Sequence, residues 1–187
     1  MVSESVSRAC ETPVVRMRAV ISVAAMVVLS GCTWPGAAPS TVTATAAMMR
    51  VTSVSDGDTF TAVSAEGERV RIRLLGIDAP EAARDGQPAQ CGADQATEAM
   101  QRLIAGRSVG VTSDPAADSV DRFGRQLAYV SVDGRDVALA LVQQGMAEAW
   151  YPASEPEPTR YAAYRAAGRG ANAANTGLWA VCDSVGR

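Results

Sequence analysis

Between Met48 and Ile77 the chain reads MMRVTSVSDGDTFTAVSAEGERVRIRLLGI, three strand-like runs divided by Asp-Gly and Glu-Gly turns. Strands joined by turns this tight pair antiparallel, because a parallel pair needs a long crossover. The stretch is therefore expected to be a meander. Its third run alternates Val70, Ile72 and Leu74 with Arg69, Arg71 and Arg73, an apolar face set against a charged one. Downstream, ADQATEAMQRLIAG places apolar residues at helical spacing before a glycine stop, which predicts a helix over about 93–105. RSVGVTS reads as a short strand, and RQLAYVSVDGRDV as a long and a short strand around the hairpin turn Asp133-Gly134. DVALALVQQG, closed by Gly145, and EPTRYAAYRAAGRG read as two more helices. Leu103, Ile104, Leu139, Leu141 and Val142 are expected to pack the core. The class is α+β, with a small sheet able to close into a barrel.

The 187 residues suit one domain and the segments that precede it. There is no histidine, which excludes Ser-His-Asp hydrolysis and imidazole-bound zinc. Carboxylates and guanidiniums must carry the chemistry. All 17 basic residues are arginines, for which a GC-rich coding bias is the plain explanation, although a planar fork also grips phosphate better than a point charge. Net charge is -3, so a nucleic-acid partner would have to be held at a local patch.

Residues 1–31 are expected to be a signal peptide. MRAVISVAAMVVLSG, residues 17–31, has a positive start, a short apolar run and small residues just before Cys32. LSGC resembles the lipobox of bacterial lipoproteins, which implies lipidation at Cys32, a membrane association through that anchor alone, and export to the outer face of the cell membrane. An ordinary secretory signal is the alternative, and both Met1 and Met17 can serve as the start. Residues 32–47, small and rich in Thr and Pro, read as a tether, 48–182 as the folded domain and 183–187 as a tail. In an oxidising compartment Cys91 and Cys182 are expected to pair, the alternative being two free thiols.

Three stretches combine charge with glycine. SDGDTF sets Asp56 and Asp58 around Gly57, RLLGIDAPE ends a strand at Ile77 and turns Asp78-Ala79-Pro80-Glu81 outward, and DRFGRQLAYV puts Arg125 at the start of a strand. Singly, each has a bland explanation: a turn accounts for Asp56, and solvation at a strand end for the other acids and for Arg122.

Together, in this order and spacing, DGDTF, RLLGIDAPE and DRFGRQLAYV resemble the staphylococcal nuclease family, from about Met48 to Trp179. The resemblance implies a five-stranded OB-fold barrel with three helices and a Ca²⁺-dependent phosphodiesterase acting on DNA and RNA, expected to be a monomer. By the same likeness Asp58, Asp78 and the Ala79 carbonyl would bind calcium, with Asp56 and Thr59 supporting them. Glu81 would act on the attacking water, Arg73 and Arg125 would hold the phosphate, and Arg122 and Tyr151 would contact substrate. An all-oxygen ligand set suits a hard cation such as Ca²⁺. The chain departs from the family pattern at Ala79, where a threonine is common, at Phe123, which replaces a tyrosine, and at Ala153, where a second aromatic is missing. Little is lost at Ala79, where the ligand is a main-chain carbonyl, whereas the changes at Phe123 and Ala153 imply weaker substrate binding. A non-catalytic OB-fold module that only binds nucleic acid is the alternative function.

Overall fold

A computed structural model describes residues 46–84 and 86–187. Residues 1–45, with the expected signal peptide 1–31, Cys32 and most of the expected tether 32–47, lie outside the described residues.

The meander forms as expected: β1 (Ala47–Val54), β2 (Thr59–Val63) and β3 (Arg69–Leu74) pair antiparallel in sequence order. A register shift between Val51 and Ser53 bends β1, so that its first half pairs with β5 (Ser108–Thr112) and its second half with β2. β5 continues onto β6 (Gln126–Val132), and β6 returns to pair parallel with β3. The five strands thus close into a mixed barrel, the OB-fold arrangement. Asp133 and Gly134 both take positive φ, 49° and 74°, in the turn that joins β6 to the two-residue β7 (Arg135–Asp136).

Three helices, α1 (Ala93–Ile104), α2 (Val137–Gln143) and α3 (Tyr161–Ala173), accompany the barrel. Ala93, Ala96, Ala99, Met100 and Ile104 form the buried stripe of α1. Asp136 caps α2 through the Leu139 N–H. Gly168 lies inside α3, where an added Cβ would stand 3.5 Å from Val142 of α2. The core is one cluster. Phe60, Ile72, Val109, Val130, Met100, Ile104, Leu141 and Val142 are all wholly buried, and Leu103 and Leu139 pack on its edge. Each such side chain contributes roughly 1.5–3 kcal/mol.

Two local expectations are corrected. Asp78, Ala79 and Pro80 do not turn outward but are buried. The chain breaks at Gly76 (φ 83°), and Ile77–Asp78 starts a separate strand, β4, that pairs with β8 (Glu148–Ala149), an element with no local sequence signal. The charged face of β3 also splits: Arg69 and Arg71 are exposed, whereas Arg73 is 8% exposed, because by that point the strand has neighbours on both edges, β2 and β6.

Candidate active site

The site is assembled where β3 and β4, the β1–β2 turn and the start of β6 converge. Gly57 allows the Asp56–Asp58 turn to lie directly on the floor of the site, since a Cβ there would fall 2.7 Å from Ala79 Cβ and 2.8 Å from Ala96 Cβ. Close approach, rather than an unusual φ, requires glycine at this position. Asp56 Oδ1 accepts the Asp58 N–H at 3.1 Å and shapes the turn. Asp58 Oδ1 accepts from Thr59 Oγ1 at 2.9 Å, and Asp58 Oδ2 from the Ala79 N–H at 3.1 Å, which ties the first acidic turn to the second.

Arg73 joins the two acids. Its Nη1 lies 3.0 Å from Asp58 Oδ1 and its Nη2 2.7 Å from Asp78 Oδ1, with Nη2 also 3.4 Å from the Ile77 carbonyl. Three of the five N–H donors that a guanidinium offers are thereby engaged. Glu81 Oε1 stands 4.0 Å from Nη1, at the mouth of the site.

Asp56, Asp58 and Asp78 are all buried, against one buried guanidinium. Burial, opposed by Arg73 and reinforced by Asp56 and Asp78, pushes the Asp58 carboxyl up to about 7. Burial works against the Arg73 cation, but Asp58 and Asp78 outweigh it and raise its pKa. Glu148, opposite Asp78 in the β4–β8 ladder, is also shifted up, by burial first and then by Asp78, with Arg187 opposing. The buried members of the cluster thus hold more acid than base, with the exposed Arg84 on Asp56 and Arg187 on Asp78 at its edge, and their oxygen donors suit a hard divalent cation. Among the described residues no group of three or more His, Cys, Asp or Glu is placed so as to hold a metal ion.

Arg125 reaches the site from the start of β6, the strand paired with β3. Gly124 (φ 73°) closes a turn headed by Asp121, whose carboxylate accepts the N–H groups of Phe123 and Arg125 at 2.9 Å each and the Arg125 Nε at 2.7 Å. Burial pushes the Asp121 carboxyl up, but these bonds and the Arg125 charge outweigh it and hold it below the usual carboxylate range. So held, Arg125 Nη1 lies 3.4 Å from Thr59 Oγ1, itself bonded to Asp58.

Arg73, Asp78, Glu81, Arg122, Arg125 and Tyr151 all line one cavity of about 700 Å³. Asp58 lies behind Arg73, 1% exposed, and Asp56 and Thr59 are likewise buried behind the wall. Arg122 is exposed and stacks on Phe123, which is itself 62% exposed and also within 5.3 Å of the Arg125 guanidinium carbon. Tyr151 packs edge-on against Tyr161. Four contributors escape sequence reasoning: Asp121, Glu148, Trp150 and Arg187. Asp121 alone carried a local signal, an aspartate three residues before a turn glycine.

A family model described as "Staphylococcal nuclease homologue" matches residues 71–181, well over half of the chain. The chain belongs to the staphylococcal nuclease family. It is 32% identical over 131 residues to an "Uncharacterized endonuclease" of Haemophilus influenzae, covering 70% of this chain and 65% of that protein. It is 30% identical over 106 residues to a "Thermonuclease" of Staphylococcus intermedius (56% and 61%) and 31% identical over 100 residues to a "Thermonuclease" of Staphylococcus hyicus (54% and 57%). The chain spans less than two thirds of the length of these relatives. The staphylococcal nuclease match takes in Arg73, Asp78, Glu81 and Arg125; the Asp56–Asp58 turn and the segment from Cys182 onward lie outside it.

Proposed function

We propose that this protein hydrolyses phosphodiester bonds of DNA and RNA with Ca²⁺ as its metal, at the outer face of the cell membrane or secreted from it. The observation that carries the reading is the bridging of Asp58 and Asp78 by Arg73 beside a cavity that Arg125, from the neighbouring strand, also lines. The "endonuclease" and "thermonuclease" names of the relatives support it.

Asp58, Asp78 and the Ala79 carbonyl would hold the cation, which supplies Lewis-acid polarisation of a phosphate oxygen and orients water when bound. Arg125, fixed by Asp121, presents its guanidinium to the phosphate as charge builds on it. Arg73 keeps two donors beyond those given to Asp58, Asp78 and Ile77, and offers them to the same anion. Glu81, half-exposed at the mouth, takes the proton of the attacking water or holds that water in line. Arg122 and Tyr151 contact the flanking strand from the cavity rim.

The test is incubation of the full chain with single-stranded and duplex DNA and RNA, with Ca²⁺ and with a chelator. Cleavage that disappears on chelation and returns with Ca²⁺ is expected. Cleavage that survives chelation removes the metal from the mechanism, and binding without cleavage favours the OB-fold binding module.

A further inference from the structure

The last four residues, SVGR after Asp183, lie across the site, although nothing in their composition calls for a docked segment. Cys182 is disulfide-bonded to Cys91, in the loop that leads into α1, with the two Cα atoms 5.9 Å apart. Beyond that bond Val185 is wholly buried in the core cluster. Gly186 then passes Asp78 so closely, at φ 82°, that a Cβ would meet Asp78 Oδ2 at 3.0 Å, the Asp78 carbonyl at 3.1 Å and Glu148 Cγ at 3.2 Å. Only glycine fits such a crossing. The Arg187 N–H donates to Asp78 Oδ2 at 3.2 Å.

The main chain of Arg187 is thus pinned to an acid of the site, while its side chain remains 57% exposed. Its guanidinium carbon lies 3.6 Å from the centroid of the Trp150 ring, an attachment that fixes direction without using N–H donors. Among the described residues its one ionic partner is Asp78 Oδ2, 3.7 Å from Nε. Arg187 and Trp150 line the same cavity as Arg73, Arg125 and Glu81. A forked donor set aimed from a rigid aromatic platform into a cavity that already holds two other inward arginines is the arrangement that an extended polyanion requires.

We propose that Arg187 is a third phosphate-contacting guanidinium of this site, taking a phosphodiester next to the one being cut, and that the Cys91–Cys182 disulfide is the positioning element that delivers it. The inference rests on the nuclease reading for its substrate class. Because the one covalent attachment of the tail is the disulfide, beside the buried Val185 and the Asp78 and Trp150 contacts of Arg187, its reduction withdraws Arg187 and weakens substrate binding.

The experiment measures binding of a short fluorescent single-stranded DNA in chelator, and cleavage kinetics in Ca²⁺, for the wild type, Arg187→Ala and Arg187→Lys, each oxidised and reduced. Arg187→Ala keeps the disulfide and is expected to weaken binding about tenfold, with most of the loss in kcat/KM carried by KM. It should also make the dependence of log affinity on log salt shallower by about one phosphate contact. Arg187→Lys should recover part of the affinity. Reduction should weaken the wild type to a similar degree and add little to Arg187→Ala, a non-additivity that a purely structural disulfide would not produce. Equal affinity and salt slope for the wild type and Arg187→Ala would overturn the assignment, as would tighter binding by Arg187→Ala, which would mean that the tail occupies the place of the substrate. Reduction that lowers affinity equally in both backgrounds overturns the delivery role of the disulfide. Binding without cleavage sinks the catalytic reading and leaves the binding comparison to decide the Arg187 assignment; a wild type that binds no nucleic acid overturns both.

Discussion

Arg73 has two duties that a lysine cannot combine. Its fork reaches Asp58 and Asp78 at once, 3.0 and 2.7 Å away, and an ammonium that met one of these acids would lose the bidentate bridge between them. Arg73→Lys is expected to lower kcat about a hundredfold or more, as the loss of a transition-state donor does elsewhere; steady-state kinetics within threefold of the wild type would contradict its role. Gly57 is equally constrained for a different reason. Gly57→Ala drives a methyl group against Ala79 and Ala96, neither of which can rotate away, so an overpacking cost of about 1–3 kcal/mol is expected in urea unfolding. The displaced turn carries Asp58 with it, and activity should fall further than stability alone explains.

Among the elements, the junction of β6 with the start of α3 sets the wall that carries Tyr151. Tyr129 on β6 donates to Asp114, which also accepts the Ala116 and Thr159 N–H groups, while the Arg160 N–H donates to the Tyr129 hydroxyl. Burial pushes the Asp114 carboxyl up, but the Tyr129 hydroxyl and the two N–H groups outweigh it and hold it below its usual range. A carboxyl depressed in the folded state contributes stability that is complete above the unfolded value, about 3.9, and is lost as pH falls through the folded one. Tyr129 is the opposite case. Burial, with the Asp114 bond, pushes its phenol up to about 12, so its contribution is complete below about 10 and is lost as pH rises toward 12. Unfolding free energy measured from acid to alkaline pH should therefore decline at both ends. Asp114→Asn should flatten the acid limb, and Tyr129→Phe should remove part of the alkaline one. Tyr164 keeps the remainder, because burial and Asp136 push its phenol up as well. An unchanged acid limb in Asp114→Asn would count against this network.

For the molecule as a whole, the disulfide spans 91 residues, and on the chain-entropy estimate it removes about 4 to 5 kcal/mol of unfolded-state freedom. Cys91→Ser with Cys182→Ser should lower unfolding free energy by an amount of that order, read in urea; a change below about 1 kcal/mol would mean that the tail and the α1 loop are held together by packing alone. The net charge of -3 sets a second expectation, since the proposed site meets nucleic acid through the arginines that line the cavity. The salt dependence of binding should correspond to a few phosphates rather than to a broad basic face.

The alternation of Val70, Ile72 and Leu74, the Asp133-Gly134 turn and the helical spacing in α1 and α2 made the order of elements legible, because each is a local preference expressed over a few adjacent residues. The likeness of three short motifs to the staphylococcal nuclease family was what grouped Asp58, Asp78, Arg73 and Arg125, and the pairing of β3 with β2 and β6 is the physical reason that they lie close together. The burial of Arg73 and of the Asp78–Pro80 turn could not be read in the same way: it follows from barrel closure by β6 and from the pairing of β4 with β8, contacts between segments far apart along the chain. Asp121 is marked locally as a turn residue, but its bond to the Arg125 guanidinium belongs to the folded structure. Trp150, Glu148 and Arg187 had no local mark at all. The sequence by itself determined which side chains were available and which strands and turns would present them; only the tertiary structure decided which acids lost their water and which distant residues closed over them, because desolvation depends on what the rest of the chain packs against a group and not on its neighbours in sequence.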